Sequence, residues 1–435
     1  MRDATLPLLG SRRFLPLFIT QFLGAANDNL FKQAIGILTV YRLLAADPGQ
    51  AQALVTAAGG IFILPFLLFS SLAGALADRM EKSRLMRLIK IAEVTIMIAG
   101  AIGLFAGDPY GLLFVLFLLG VHSAFFGPLK YSILPQHLAA HELIAGNALV
   151  EGGTFVAILI GTIVGGLAVL AEGGLGLTSA LLIAVAAGGL AASVFLPPAP
   201  PYKSNIALDW NLWRGSRAVV RTVTSRREVN LAVIGISWFW AVAAAVLQQL
   251  PTFAKQVMAV DQQVVTLMTA MFSIGIAVGS ILCERILKGE ISPRTVPYGA
   301  LGMALFILDL FATGGLAAGD TGGSLRGVGD FVGTLAGLHV LADLFLTAVA
   351  GGLFTVPLYT ILQARSDPAE RARAVAANNI INAIYIVAGT VVTLVLLKLG
   401  AGVRGIFLAA ALGNIAVGLL ALRVTRGARQ DRPSS

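Results

Sequence analysis

The stretch FLPLFITQFLGAANDNLFKQAIGILTVY, residues 14–41, is long enough to cross a membrane as one helix, yet its centre is polar. Five polar residues lie close together there: Asn27, Asp28, Asn29, Lys32 and Gln33. A charged side chain at the centre of a bilayer costs about 2.5–3.5 kcal/mol on insertion scales. We therefore expect this cluster to face an aqueous cavity or a ligand, and we interpret it as part of the binding site of a transporter.

The composition supports a membrane protein. Of the 435 residues, 57% are hydrophobic and only 12% are charged, whereas soluble proteins have about 25% charged residues. Twelve apolar segments are long enough to span a bilayer: 14–41, 52–77, 85–106, 110–135, 144–171, 175–196, 229–256, 263–287, 295–316, 332–362, 374–398 and 404–424. The sequence thus predicts an all-α membrane protein with twelve transmembrane helices.

The basic residues predict the orientation. We assign 24 of the 31 Lys and Arg residues to the two termini and the loops after even-numbered spans, and five to the other side. Lys32 and Lys130 lie inside spans. This asymmetry predicts that both termini are cytoplasmic. Basic loops beside anionic membrane lipids also explain the net charge of +9 without a nucleic-acid partner.

The chain divides into two similar halves. Four prolines begin a basic linker at 197–228, and six spans lie on each side of it, in residues 1–196 and 229–435. The motif PLKYSILPQ at 128–136 resembles PLYTILQ at 357–363. Duplicated halves with a substrate site between them are typical of transporters. Within the linker, residues 209–227 are expected to form an amphipathic helix at the membrane surface.

The repeat also indicates where the two halves differ. FLGAANDNLFKQ at 22–33 aligns with WFWAVAAAVLQQ at 238–249, so that Lys32 and Gln33 correspond to Gln248 and Gln249. The charged residues of the first span have no charged counterpart in the seventh. We therefore place the binding chemistry mainly in the N-terminal half, and we include Gln248 and Gln249 as its C-terminal complement.

The fourth and fifth spans supply further candidate binding residues. Lys130 follows Gly127-Pro128 and could bind a phosphate as a point charge, or extend to the membrane surface instead. Asn147 and Glu151 share one face of the fifth span. Glu151 could attract an ammonium group, carry a proton or pair with Lys130.

Other intramembrane polar residues have simpler interpretations. Asp28 and Lys32 are four residues apart and can pair, either around a substrate or as a structural lock. Glu93 is expected to be structural. His339 and Asp343 are one turn apart, and we interpret them as a hydrogen-bonded pair, whereas Asp309 has no evident partner in the sequence.

The segment GALADRMEKSR, residues 74–84, resembles the loop between the second and third spans of the major facilitator superfamily. Its candidate gating residues are Gly74, Asp78, Arg79 and Arg84. Gly74 permits close helix approach, and Asp78 can pair with basic residues. Glu81 or Met80 stands where the loop usually has a glycine.

Within that superfamily, QFLGAANDNLFKQA at 21–34 and FGPLKYSILPQ at 126–136 resemble the bacterial lysophospholipid transporter family. The resemblance implies transport of lysophosphatidylethanolamine and lysophosphatidylglycerol from the outer to the inner leaflet for re-acylation, by alternating access. It also implies a separate acyltransferase/acyl-carrier-protein synthetase as a partner, if the chain ends where this sequence does. We expect a monomer without cofactor or metal.

Two other function classes compete with this interpretation. A proton-coupled porter for a small soluble metabolite or drug could use Asp28 or Glu151 as its titrating group. A membrane acyltransferase would need a histidine followed five residues later by an aspartate, but His137 is followed at that spacing by Glu142. The intramembrane charges also argue against a purely structural protein.

Overall fold

A computed structural model describes residues 5–202, 208–316 and 325–430. In these ranges every regular element is a helix, and the β-structure consists of one isolated bridge between Val260 and Arg326. The helices are α1 Thr5–Leu9, α2 Leu15–Leu38, α3 Pro48–Arg79, α4 Lys82–Ala106, α5 Pro109–His137, α6 Leu143–Leu170, α7 Gly174–Val194, α8 Leu212–Thr224, α9 Arg227–Gln256, α10 Gln262–Leu287, α11 Val296–Leu316, α12 Val328–Val332, α13 Leu335–Arg365, α14 Arg371–Lys398 and α15 Gly402–Gln430.

Eleven of the described helices are long and apolar enough to cross a membrane: α3 to α7, α9 to α11 and α13 to α15. The twelfth span is α2, whose 24 residues extend over about 36 Å. Its central polar residues make it less apolar than the others. It packs along α6 and α7 inside the bundle, where a polar face need not meet lipid. The predicted all-α transmembrane fold is confirmed.

Aspartates fix the starts of three spans at one end of the bundle. Asp47, Asp108 and Asp261 each accept hydrogen bonds from backbone N–H groups in the first turn of α3, α5 and α10. Helix N-termini leave such donors unpaired, and an aspartate cap satisfies them. Pro48 and Pro109 follow two of these caps, at a position where a helix needs no N–H donor.

The two six-helix groups meet near one end of the bundle, which we call the linker face because it carries α8; the other end is the opposite face. Asp78, at the end of α3, accepts hydrogen bonds from the backbone N–H groups of Ala372 (2.9 Å) and Arg373 (3.1 Å). The Arg373 guanidinium also donates to Asp78 at 3.2 Å. A buried carboxylate thus ties α3 to the first turn of α14.

A second tie on the same face joins α6 to α13. The amides of Asn147 and Gln363 exchange two hydrogen bonds, at 3.0 and 2.7 Å, and both side chains are fully buried. Cys283, the single cysteine, is buried close by in an apolar cluster that includes Ile144 and Ala148 of α6. Polar pairs and apolar packing together close the linker face.

The loop between α3 and α4 is organised by Glu81. Its carboxylate caps α4 by accepting from the N–H groups of Ser83 and Arg84, and it also accepts from the N–H of Ala199 at 2.7 Å. Burial raises the pKa of Glu81, but these hydrogen bonds outweigh it and hold the pKa below its ordinary value. Glu81 therefore fastens the loop to the start of the linker. The side chains of Arg79 and Arg84 are exposed.

The linker helix α8 lies against both halves. It packs on α3 and on α14, with Val219 and Val223 buried, while Trp210 and Trp213 beside and within it are exposed. Asn211 caps the helix by accepting from the N–H of Arg214. Residues 203–207 of the predicted linker lie outside the described residues.

The tight contact at Gly74 predicts how the linker face can be opened. A Cβ atom there would lie 2.6 Å from the Cβ of Ala376 and 2.9 Å from the Cα of Arg373. We expect Gly74→Ala to push α3 away from α14 and to raise the rate at which Cys283 reacts with N-ethylmaleimide at least threefold. Gly60→Ala is the matched control, because a Cβ at Gly60 on the same helix meets nothing within 4 Å. Equal labelling rates in both variants would contradict the prediction.

Candidate functional site

A cavity of about 330 Å³ lies between the two halves, beyond the closed linker face. Its polar wall consists of Gln21, Asp28, Asn29, Lys32, His122, Ser123, Lys130, Tyr131, Thr154, Trp240, Tyr359, Asn379 and Asn382. Its apolar wall includes Phe62, Ile63, Phe66, Phe126, Ile158 and Ile386. The cavity therefore combines cations, a carboxylate and amides on one wall with an apolar second wall, which suits an amphiphilic ligand.

Helix α2 presents Asp28, Asn29 and Lys32 to this cavity. Asp28 accepts a hydrogen bond from the Ser123 hydroxyl at 2.6 Å. Within the described residues, Lys32 forms no ion pair with Asp28, and its Nζ instead lies 5.6 Å from the centre of the Phe62 ring. The Asn29 amide donates to the backbone carbonyl of Ala25. The predicted Asp28–Lys32 ion pair is thus not formed, and both side chains line the cavity.

Lys130 forms a second cationic point on the cavity wall. Its Nζ lies 4.7 Å from the centre of the Tyr131 ring. Tyr131 donates a hydrogen bond to Glu151, and its ring stacks on that of Tyr359 with centroids 4.5 Å apart. Glu151 is buried behind this wall and is close enough to interact electrostatically with Lys130. Proline at position 128 precedes Lys130 within α5, as the sequence indicated.

The other candidate binding residues lie away from the cavity wall. Asn147 belongs to the linker-face tie described above, and Asn27 donates to Glu93 at 3.2 Å. Gln33 packs beside Gly166 of α6. Gln248 is exposed and Gln249 is half-buried, and neither lines the cavity. Of the ten candidate binding residues, the structure brings four together around the cavity: Asp28, Asn29, Lys32 and Lys130.

A buried ionic network behind the cavity was missed from the sequence. Lys90 and Glu93 of α4 form an ion pair in which both side chains are fully buried. The Nε2 atom of His122 lies 3.2 Å from the Glu93 carboxylate, and Asn27 donates to the same carboxylate. His122 also lines the cavity, so the network reaches its wall. The expectation of a structural Glu93 agrees with this environment.

The position of Lys90 corrects the charge assignment. The sequence analysis counted it among the basic residues of the membrane surface, but it lies in the ninth position of α4 and is fully buried. When Lys90 is counted as lying inside a span, 23 basic residues remain on the predicted cytoplasmic side and five on the other side, so the asymmetry stands. The three-residue spacing of Lys90 and Glu93 on one helix face was the signal that could have identified it.

The C-terminal half contributes groups that the sequence analysis did not select. Asn379 and Asn382 of α14 line the cavity opposite α2. Asn382 accepts from the Ser237 hydroxyl at 2.6 Å, whereas the buried Nδ2 atom of Asn379 has no hydrogen-bond partner within the described part of the chain. Trp240 donates to the Tyr359 hydroxyl at 3.0 Å. The signal for Asn382 was its position in the eleventh span, about one repeat length after Glu151 in the fifth.

The Lys90–Glu93 pair predicts a nonadditive effect on stability. Removing one partner of a buried ion pair leaves an uncompensated charge and costs about 3–5 kcal/mol. We expect Lys90→Met to lower the thermal midpoint strongly, and Lys90→Met/Glu93→Gln to recover part of that loss. Thermal unfolding in detergent, followed by tryptophan fluorescence, measures both. A double variant that is less stable than either single variant would contradict the pairing.

Comparisons with known proteins identify relatives of this chain. A family model of the Major Facilitator Superfamily matches residues 17–343. The chain is 26% identical over 364 residues to the lysophospholipid transporter LplT of Escherichia coli O157:H7, covering 82% of this chain and 81% of that protein. The Serratia proteamaculans LplT is 27% identical over the same shares of both chains. The predicted resemblance to lysophospholipid transporters is thereby confirmed.

Solved structures support the same fold. The human organic anion transporter MFSD10 (TETRAN) superposes with a TM-score of 0.74 at 16% identity, covering 94% of this chain and 99% of that one. FucP in its outward conformation superposes with a TM-score of 0.68 at 14% identity, covering 98% of this chain and 99% of that one. The protein is a multi-pass membrane transporter rather than an enzyme, and the chain belongs to the Major Facilitator Superfamily.

Proposed function

We propose that this transporter moves lysophospholipids from the outer to the inner leaflet of a bacterial cytoplasmic membrane. The observation that carries the proposal is the amphiphilic cavity: two lysines and a carboxylate share one space with an apolar wall. The curated relatives, named as lysophospholipid transporters, point to the same substrate class. The substrates would be lysophosphatidylethanolamine and lysophosphatidylglycerol.

The cavity groups match the parts of a lysophospholipid. Lys32 and Lys130 can bind the phosphate, since an ammonium group is a compact point charge for such oxygens. Asp28 can pair with the ammonium of an ethanolamine headgroup. The amides of Asn379 and Asn382 can bond the glycerol hydroxyl. Each polar part of the ligand therefore has a partner of suitable charge or hydrogen-bonding type.

The cavity volume constrains where the acyl chain goes. A volume of about 330 Å³ lies at the lower end of the usual range for small-molecule sites, about 300–1,000 Å³. It can hold a headgroup and glycerol but not a long acyl chain as well. We infer that the chain leaves along the wall formed by Phe62, Phe66 and Ile158 and extends between helices toward lipid. This path would let the substrate enter sideways from the membrane.

Alternating access supplies the transport cycle. In the proposed orientation both termini and the linker are cytoplasmic, so the closed linker face seals the inner side and the cavity is loaded from the outer leaflet. Inward opening would break the ties of Asp78 and Asn147 as the two halves, 1–196 and 229–435, rock apart on the linker 197–228. Re-acylation would fall to a separate acyltransferase, and the transporter would act as a monomer.

The proposed binding site contains fewer of the candidate residues than the sequence analysis selected. Asp28, Asn29, Lys32 and Lys130 remain direct contacts, joined by Asn379 and Asn382. Asn27, Gln33, Asn147 and Glu151 are assigned supporting positions around them. Gln248 and Gln249 stay predictions without a cavity contact. Gly74 and Asp78 are proposed gating residues because of their contacts with α14, whereas Arg79 and Arg84 stay predictions.

Uptake of labelled lysophosphatidylethanolamine into proteoliposomes tests this function. A charge-assisted hydrogen bond is worth about 1.5–3 kcal/mol, so we expect Lys130→Ala and Lys32→Ala to lower uptake about 10- to 100-fold. Lys398→Ala is the matched lysine control, because Lys398 is exposed and lies outside the cavity, and this variant should retain uptake. Folded wild-type protein that takes up no lysolipid would overturn the proposal and favour a porter of small soluble substrates.

Asp28 allows a test of headgroup recognition. We expect Asp28→Asn to lower uptake of lysophosphatidylethanolamine about tenfold and to leave lysophosphatidylglycerol uptake within twofold, because the latter has no ammonium group. The amide can still accept from the Ser123 hydroxyl, so the cavity wall should stay intact. An equal loss for both lipids would show that Asp28 is not an ammonium-specific contact.

A further inference from the structure

Three side chains converge between α11 and α13, remote from the transport cavity. The Nε2 atom of His339 lies 2.9 Å from Oδ2 of Asp309 and 3.7 Å from Oδ2 of Asp343. One donor atom from each residue can be chosen so that all three lie within 4.8 Å of one another. The structure therefore supplies the partner that Asp309 lacked in the sequence, where it stands 30 residues before His339.

Hydrogen bonding from His339 cannot satisfy both carboxylates of this group. Both carboxylates point at the same imidazole nitrogen, which carries at most one proton, and the shorter contact gives that proton to Asp309. The side chain of Asp343 is only 3% exposed, and its Oδ2 atom has no hydrogen-bond partner among the residues that the structure describes. A buried carboxylate oxygen without a donor, close to a second carboxylate, is costly.

The arginine on the neighbouring helix α15 does not pair with this group. On α15, Arg404 donates to the backbone carbonyl of Phe311 and lies 4.8 Å over that ring. It forms no ion pair with Asp309 or Asp343 among the described residues. The two carboxylates therefore converge on one imidazole without an ion pair to Arg404.

We propose that Asp309, His339 and Asp343 form a binding site for a divalent transition-metal ion, with Zn²⁺ as the reference ion. An imidazole and two carboxylates are typical ligands of such ions. Donors around a tetrahedral ion at about 2.0–2.1 Å lie about 3.3 Å apart, and the contacts of 2.9 and 3.7 Å bracket that spacing. The metal would bind Nε2, leaving the neutral imidazole protonated on Nδ1.

The position of the site gives an ion access. His339 is the fifth residue of α13, about 6 Å along the helix from its start at the opposite face. The side chains of His339 and Asp309 are 50% and 44% exposed, so the protein does not cover one side of the group and can leave one coordination position open. The bound ion would fasten α11 to α13 within the C-terminal half. None of the three residues lines the cavity, so this site and the proposed transport function stand or fall separately.

Metal titration of the purified transporter tests the site. The full chain, freed of any affinity tag and of metal, would be titrated with Zn²⁺ by calorimetry and with Co²⁺ by visible absorption. We expect one ion per chain and a Co²⁺ spectrum typical of tetrahedral coordination. His339→Ala should weaken Zn²⁺ binding at least 100-fold and Asp343→Asn at least tenfold. His141→Ala, at an exposed histidine on the linker face, is the matched control and should bind as the wild type does.

The titration results distinguish a metal site from a cluster that binds no metal. Absence of stoichiometric binding by the wild type would overturn the site and leave an imidazolium–carboxylate cluster. Binding that survives His339→Ala would place the ion elsewhere and overturn it equally. If Asp343→Asn fails to fold, Asp309→Asn gives the same test at a half-exposed position, with a tenfold weaker affinity expected.

Discussion

The buried ammonium of Lys90 controls how the N-terminal helices can pack. It pairs with Glu93 and lies 5.2 Å from the centre of the Phe126 ring. A Cβ atom at Gly24 would come within 2.9 Å of its Nζ, and one at Gly189 within 3.1 Å, so glycines on α2 and α7 make the space for it. A charge enclosed this way must be neutralised locally. Four helices are consequently arranged around one ion pair.

That arrangement determines which polar residues of α2 remain available to a ligand. Asn27 turns toward α4 and completes the hydrogen bonding of Glu93. Asp28 and Lys32, on another face, are left on the cavity wall. Lys130 then lies beside the stacked rings of Tyr131 and Tyr359, one from each half. A ligand held by Lys130 would therefore touch the inter-half contact that has to separate, which is how binding energy could bias the conformational equilibrium.

The sequence predicted the spans, because hydropathy and helix caps act locally, whereas the division at the linker and the gating role of the loop at Asp78 stay predictions. It predicted less of the site, because periodicity gives the face of a helix but not the neighbour that covers it. Asn27 and Asp28 are adjacent in the sequence, yet one meets Glu93 and the other the cavity. The repeat aligned Gln248 with Lys32, but alignment does not show which neighbouring helices surround a side chain, and Gln248 does not line the cavity. Lys90 was assigned to the membrane surface because the third span was predicted to begin at residue 85, whereas α4 begins at Lys82.

The two halves balance their intramembrane charges differently. In the N-terminal half, three lysines oppose three carboxylates: Lys32, Lys90 and Lys130, and Asp28, Glu93 and Glu151. Opening the Asp28–Lys32 pair leaves both signs available to a zwitterionic or anionic ligand without a net excess. Between α11 and α13, two carboxylates share one imidazole, so even a protonated histidine leaves one negative charge unopposed. A divalent ion would bring that group to neutrality with a neutral imidazole, which is the balance that the N-terminal half already reaches with its own side chains.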